Sequence, residues 1–125
     1  MRKSKAVKML VLALALVMVF SVTASAITNV SWSVSGKTAR GTLGTKNATT
    51  SYETVAGDIY AEIDYYYRIA SSDEIHMNSN MASNAGTSVS AYTDVLSKDQ
   101  GKTVSFHNSY GTHRVNGSTR NTNYY

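Results

Sequence analysis

The stretch from Asp58 to Ile69 constrains this chain more than any other. Its odd positions are Ile59, Ala61, Ile63, Tyr65, Tyr67 and Ile69; its even positions are Asp58, Tyr60, Glu62, Asp64, Tyr66 and Arg68. Apolar and polar residues alternate with a period of two, the pattern of a β-strand with one dry and one wet face. At ~3.3 Å per residue such a strand crosses a whole small domain. It predicts the central strand of an antiparallel sheet. The same parity turns Tyr65 and Tyr67 inward and Tyr66 outward, and a slip of one residue would exchange the two faces.

The segments around it are rich in Ser, Thr, Asn, Gly and Tyr and lack runs of strong helix formers. Thr28 to Ser35 alternates with Val30, Trp32 and Val34 on one face. Thr38 to Leu43 follows a Ser35-Gly36-Lys37 turn. Thr49 to Ala56 reads as a sparse strand that Gly57 breaks before the central strand begins. Ile75 to Met81 reads as a strand with Ile75, Met77 and Met81 inward, ended by a turn at Ser83-Asn84-Ala85-Gly86. Thr87 to Leu96 puts Val89, Ala91 and Val95 inward. Lys102 to Tyr110 puts Val104 and Phe106 inward, with a kink expected at Gly111. Val115-Asn116-Gly117-Ser118 is a hairpin signal, because Asn-Gly suits a type I′ turn. Tyr124 and Tyr125 predict that the last strand, from Ser118, docks rather than trails. These segments predict an all-β fold: a small antiparallel β-sandwich, or partly open barrel, of about seven to eight strands.

Residues 1–26 read as a secretory signal peptide with a helical apolar stretch. Arg2, Lys3, Lys5 and Lys8 form a basic leader, Met9 to Phe20 is an unbroken apolar run, and Ala24-Ser25-Ala26 is a small-residue cleavage site. The run is shorter than the ~20 residues that span a bilayer. Cleavage after Ala26 leaves one domain, residues 27–125. Four of the twelve basic residues lie in the leader, so this domain carries eight basic and eight acidic residues, and no formal net charge. That offers no electrostatic case for nucleic acid or an anionic membrane as partner. The chain has no Cys and no Pro. No disulfide can reinforce the core, and neither a lipid-modified cysteine nor an LPxTG-type signal can hold the protein to a cell. The expectation is a protein secreted into the extracellular space by a Gram-positive bacterium, without stable membrane insertion after cleavage.

Chemistry is sparse. Glu62 and Asp64 share the wet face of the central strand, with Cα atoms about 6.6 Å apart at strand rise, close to the spacing of the carboxylates in inverting glycosidases. Asp58 and Arg68 on the same face make an ordinary charged surface the simpler reading. Two carboxylates are too few for Ca²⁺. Tyr60 and Tyr66 join Glu62 and Asp64 as candidate ligand-binding residues, because an exposed tyrosine offers an apolar ring with a polar tip; the competing reading is that a second sheet or a loop covers them. His76, His107 and His113 are expected at the surface on unrelated strands, without zinc-site spacing. The chain has no G-x-S-x-G elbow, phosphate loop or H-E-x-x-H. No catalytic residue, metal or cofactor is expected.

The stretch Phe106-His107-Asn108-Ser109-Tyr110-Gly111-Thr112-His113-Arg114-Val115-Asn116-Gly117 resembles the Tyr/His-then-Thr-His segment of lactococcin-972-like bacteriocins. Those are small, secreted, Cys-free β-proteins with an early Trp, as Trp32 is here. The resemblance covers about a tenth of the chain; the long central strand has no counterpart in it, and Trp32 lies too far from the His segment. It implies a toxin acting on the envelope of competing bacteria and carries over no site residues. The leading expectation is a non-catalytic protein that binds an extracellular glycan, a surface protein or a second copy of itself, with the toxin as the alternative.

Overall fold

Alternation over Asp58–Ile69 becomes one half of a much longer strand. The structure, a computed structural model, describes residues 27–125; the expected signal peptide, 1–26, lies outside the described residues. The strands are β1 (Asn29–Val34), β2 (Lys37–Leu43), β3 (Asn47–Ile69), β4 (Ile75–Tyr92), β5 (Val104–Val115) and β6 (Ser118–Tyr124), with a 3-10 turn at Ser97–Asp99. All belong to one antiparallel sheet in the order β1-β2-β3-β5-β6, with β4 on the other edge of β3.

The sheet is folded over and nearly closed into a barrel. β3 pairs with β2 through residues 48–52 and with β5 through residues 59–69. β4 accompanies it through both halves. The register of β3 with β4 shifts between Ser51 and Ala56 and again between Ala56 and Ile59, which marks the corner. Counted by halves, six strands supply eight segments, as the strand count from sequence expected. Gly57 therefore does not end a strand: the chain stays extended through it and bends. Asn116 ties the corner down, its Oδ1 accepting from the Gly57 and Asp58 amides at 3.0 and 3.2 Å. Ser83–Gly86 is likewise no turn but the matching corner of β4, where Gly86 pairs with Ala56. Gly111 does not kink β5. The irregularity there is at His107, the extra residue where Tyr66 pairs with Asn108 and Tyr67 with Phe106.

Two seams close the barrel. At the first, Asn123 N–H donates to the Ile27 carbonyl at 2.7 Å, and the Trp32 indole donates to Ser118 Oγ at 3.1 Å. At the second, side chains do the work of a strand. Asn78 Nδ2 donates to the Asp94 carbonyl at 2.9 Å, and Asn80 Nδ2 to the Tyr92 carbonyl at 2.7 Å. Their Oδ1 atoms accept from the Ser79 and Met81 amides at 3.0 and 2.9 Å. Asn78 and Asn80 thus satisfy backbone groups at both ends of β4, a strand with no Lys, Arg, Asp or Glu and so with none of the charges that usually blunt an edge. Replacing both asparagines by alanine is expected to destabilise the fold by about 2–4 kcal/mol, at roughly 1–2 kcal/mol per orphaned pair. Urea melts measure the loss, and a change within error would remove the seam's role.

The interior alternates as expected. Ile59, Ala61, Ile63, Tyr65, Tyr67 and Ile69 are all buried, and the even positions from Asp58 to Arg68 are half-buried. Bulky residues fill both ends: Trp32, Val34, Tyr52, Ile59 and Val115 at one, Tyr65, Tyr67 and Ile69 with Phe106 at the other. The middle is built from small residues, Ala48, Ala61 and Ala91, with Leu43 and Ile63. The β5–β6 connection is the expected type I′ turn, with φ of 47° at Asn116 and 83° at Gly117. β6 docks beside β5 as predicted.

Candidate functional site

The wet face of β3 carries the candidate site. Register carries it across three neighbouring strands: Tyr60 pairs with Ser83 and Arg114, Glu62 with Met81 and Thr112, Asp64 with Ser79 and Tyr110, and Tyr66 with Met77 and Asn108. Paired residues share a face. All four sequence-predicted residues, Tyr60, Glu62, Asp64 and Tyr66, therefore lie on one outer face, each half-buried. The described residues form one sheet, so no second sheet among them covers this face.

The register also corrects one expectation. Ile75, Met77 and Met81 are exposed, at 48, 44 and 61 %, rather than inward. They share parity with Ser79, the partner of Asp64, so they must face outward with it. Inward positions of that half of β4 go instead to His76, which stacks on Tyr67 with ring centroids 5.7 Å apart, and to Asn78 at the seam. Apolar parity alone misassigned the strand, because three apolar residues of one parity also suit an exposed face that does something other than pack.

Two further tyrosines join the face, and the sequence reading missed both. Tyr110 meets Tyr66 edge to face at 5.7 Å, and Tyr125 meets Tyr110 edge to face at 6.3 Å. Tyr110 lies on β5 and Tyr125 just past β6, so only strand pairing could have found them. The face therefore presents Tyr60, Tyr66, Tyr110 and Tyr125, with Met77 and Met81 along one margin. From Tyr60 to Tyr66 along β3 it extends ~20 Å at strand rise.

Hydrogen bonds fix the polar groups among these rings. Tyr60 donates to Glu62, and its hydroxyl also lies 3.7 Å from Met81 Sδ. Partial burial, and then the hydrogen bond to the Glu62 carboxylate, push the Tyr60 phenol up to about 12. Ser79 Oγ donates to Asp64 at 2.6 Å. The Arg114 guanidinium stacks 4.4 Å from the Tyr60 ring centre and bonds both oxygens of Asp58, at 2.8 and 3.4 Å. That pairing holds the Asp58 carboxyl below the usual carboxylate range. A shallow recess of about 250 Å³ lies elsewhere, bordered by Thr38, Arg40, Ser51, Tyr52 and Glu53, and touches none of these groups.

The histidines are not three surface residues. His113, at 0 % exposure, is fully buried at the centre of the barrel. Thr50 Oγ1 donates its one proton to the Tyr60 carbonyl at 2.7 Å, so it accepts from His113 Nδ1–H at 2.8 Å. The Nε2 lone pair then accepts from Thr122 Oγ1 at 2.8 Å. Burial pushes the ring down to about 4, against a smaller opposing effect of the Thr49 backbone. His76 lies in a second polar cluster at the end of the barrel. There Tyr67 donates to buried Asp99 at 2.5 Å, Lys102 Nζ lies 3.2 Å away, and His76 Nδ1 is 3.6 Å from the same carboxylate. The Tyr67 hydrogen bond holds the Asp99 carboxyl low in spite of burial, with help from Lys102. Both clusters are internal ties rather than openings to a ligand. Among the described residues, no group of three or more His, Cys, Asp or Glu is arranged to hold a metal ion.

Comparison of the chain with protein-family profiles, curated proteins and solved structures found no match. The face itself must carry the functional reading.

Proposed function

We propose that this is a secreted, extracellular binding protein that takes a glycan on the tyrosine face of β3, β5 and β6 and does no chemistry on it. The observation that carries the reading is the set of four tyrosines on one open face, interleaved with two carboxylates that form no ion pair among the described residues. Tyrosine rings stack on the C–H faces of sugars, and the carboxylates accept from sugar hydroxyls. Glu62 and Asp64 each already accept a hydroxyl hydrogen bond on an open sheet face. That suits fixed acceptors better than an acid and base working on a water between them.

Pull-down of residues 27–125 on a panel of insoluble cell-wall and cuticle polysaccharides tests the reading. At least one should retain the protein. Tyr66→Ala and Tyr110→Ala should each weaken retention about fivefold to tenfold, the share of one aromatic contact. Glu62→Gln should produce no change in any glycan's chain length. Retention by no polysaccharide would sink the proposal. Growth inhibition of related strains by the same preparation would favour the bacteriocin-like alternative.

A further inference from the structure

The charge around Glu62 and Asp64 is one-sided. Three nearby donors are spent inside the face: Tyr60 on Glu62, Ser79 on Asp64, and Arg114 on Asp58. Neither Glu62 nor Asp64 has a cationic partner among the described residues. Arg68, the other cation on this face of β3, pairs with Ile75 and Ser105 two residues beyond Tyr66 and forms no ion pair with either carboxylate. What remains open is acceptor capacity on Glu62 and Asp64.

Asn108 adds an independent sign. It pairs with Tyr66 and stands two residues before Tyr110, so register places it on the tyrosine face. Its side chain is 8 % exposed, and its Oδ1 is buried without a hydrogen-bond partner. A buried polar atom in a native fold ordinarily has a partner. An amide oxygen can be satisfied only by a donor. Asn108 thus asks for the same complement as Asp64, and both border Tyr110.

We infer that the ligand glycan carries protonated amino groups, and that Asp64, Asn108 and the rings of Tyr66 and Tyr110 form the subsite for one of them. The inference rests on the glycan-binding reading and narrows it. A neutral or N-acetylated sugar brings no charge to meet Asp64, which has no cationic partner among the described residues. An ammonium brings three donors, no acceptor and a charge that complements Asp64. Tyrosine rings favour a cation as well.

Calorimetric titration of residues 27–125 separates these outcomes, using glucosamine and N-acetylglucosamine oligosaccharides of equal length. The buffer should be mildly acidic, so that the amines are charged while His113 stays neutral. The amine form should bind about tenfold tighter, as one charge-assisted contact predicts, and added salt should narrow the gap. Asp64→Asn should abolish the preference, weakening the amine form about tenfold more than the acetylated form. Asn108→Ala should reduce the preference in part, with an unchanged circular dichroism spectrum as the control on folding. Equal affinity for the two oligomers, or a preference that survives Asp64→Asn, overturns the inference and leaves the glycan reading standing. Binding of neither oligomer, together with failure on the polysaccharide panel, overturns both. Tight binding of oligolysine with no binding of the amino-oligosaccharide overturns the glycan as the carrier of the charge.

Discussion

Acidification from about pH 7.5 to about 4.5 is expected to cost the folded domain roughly 2–3 kcal/mol through His113 alone. The ring titrates near 6.5 when exposed and near 4 inside the barrel. The unfolded chain therefore takes up its proton first. The stability contributed by the neutral ring is fully present above 6.5, declines by up to about 1.4 kcal/mol per pH unit below it, and is gone by about 4. The geometry gives the same direction. Nδ1 already donates to Thr50, and Nε2 has only the Thr122 hydroxyl before it. The residues around the ring include Gly41 and Leu43 of β2, Thr50 and Ala61 of β3, and Gly111 of β5, none of them titratable; Arg120, its partner on β6, is a cation. No carboxylate is placed to receive an imidazolium. Denaturant titrations at the two pH values measure the effect, and His113→Gln, which cannot charge, should flatten the response. Asp99 titrates below the usual carboxylate value, so its own loss falls at lower pH and leaves this window to His113. Equal stability at both pH values in the unaltered chain would contradict the assignment.

Gly41→Ala should be the most damaging small substitution, at about 3 kcal/mol, near the upper end of overpacking costs. A Cβ at Gly41 would overlap three atoms of the His113 ring. Hydrogen bonds on both sides hold that ring, so it cannot swing away, and β2 would have to move off β5. His113→Ala leaves a cavity that an added methyl partly fills. The double variant Gly41→Ala with His113→Ala should therefore be more stable than the sum of the two single losses by at least about 1 kcal/mol. Thermal melts of the four proteins complete the cycle, and strict additivity would mean that Gly41 serves something other than room for the ring.

These two positions explain what the sequence did and did not disclose. Parity along a single strand read the central segment correctly from Ile59 to Ile69, because burial on one face is written at every second residue. The Asn116-Gly117 turn was legible for the same reason, since the backbone conformation it needs depends on those two residues. His113 was not legible. Its burial depends on glycines on β2 and β5 and hydroxyls on β3 and β6, residues far apart in the chain that only pairing brings together. Met77 and Met81 were placed on the wrong face because apolar character was equated with burial, whereas the register with β3 decides it. The shared face of Tyr60, Glu62, Asp64 and Tyr66 was legible because they lie on one strand; that Tyr110, Tyr125 and Asn108 adjoin them was not, because those lie across the sheet.

The long hairpin of β3 and β4 has a mechanical consequence. Each of these strands runs through both walls of the barrel, so neither wall can melt while the other stays formed. Small barrels of separate short strands can fray one hairpin at a time; here the corner at Ala56 transmits any breach in one wall to the other. In a chain without a single covalent cross-link, that shared spine makes denaturation all-or-none, and it keeps the tyrosine face rigid up to the point where the whole domain gives way.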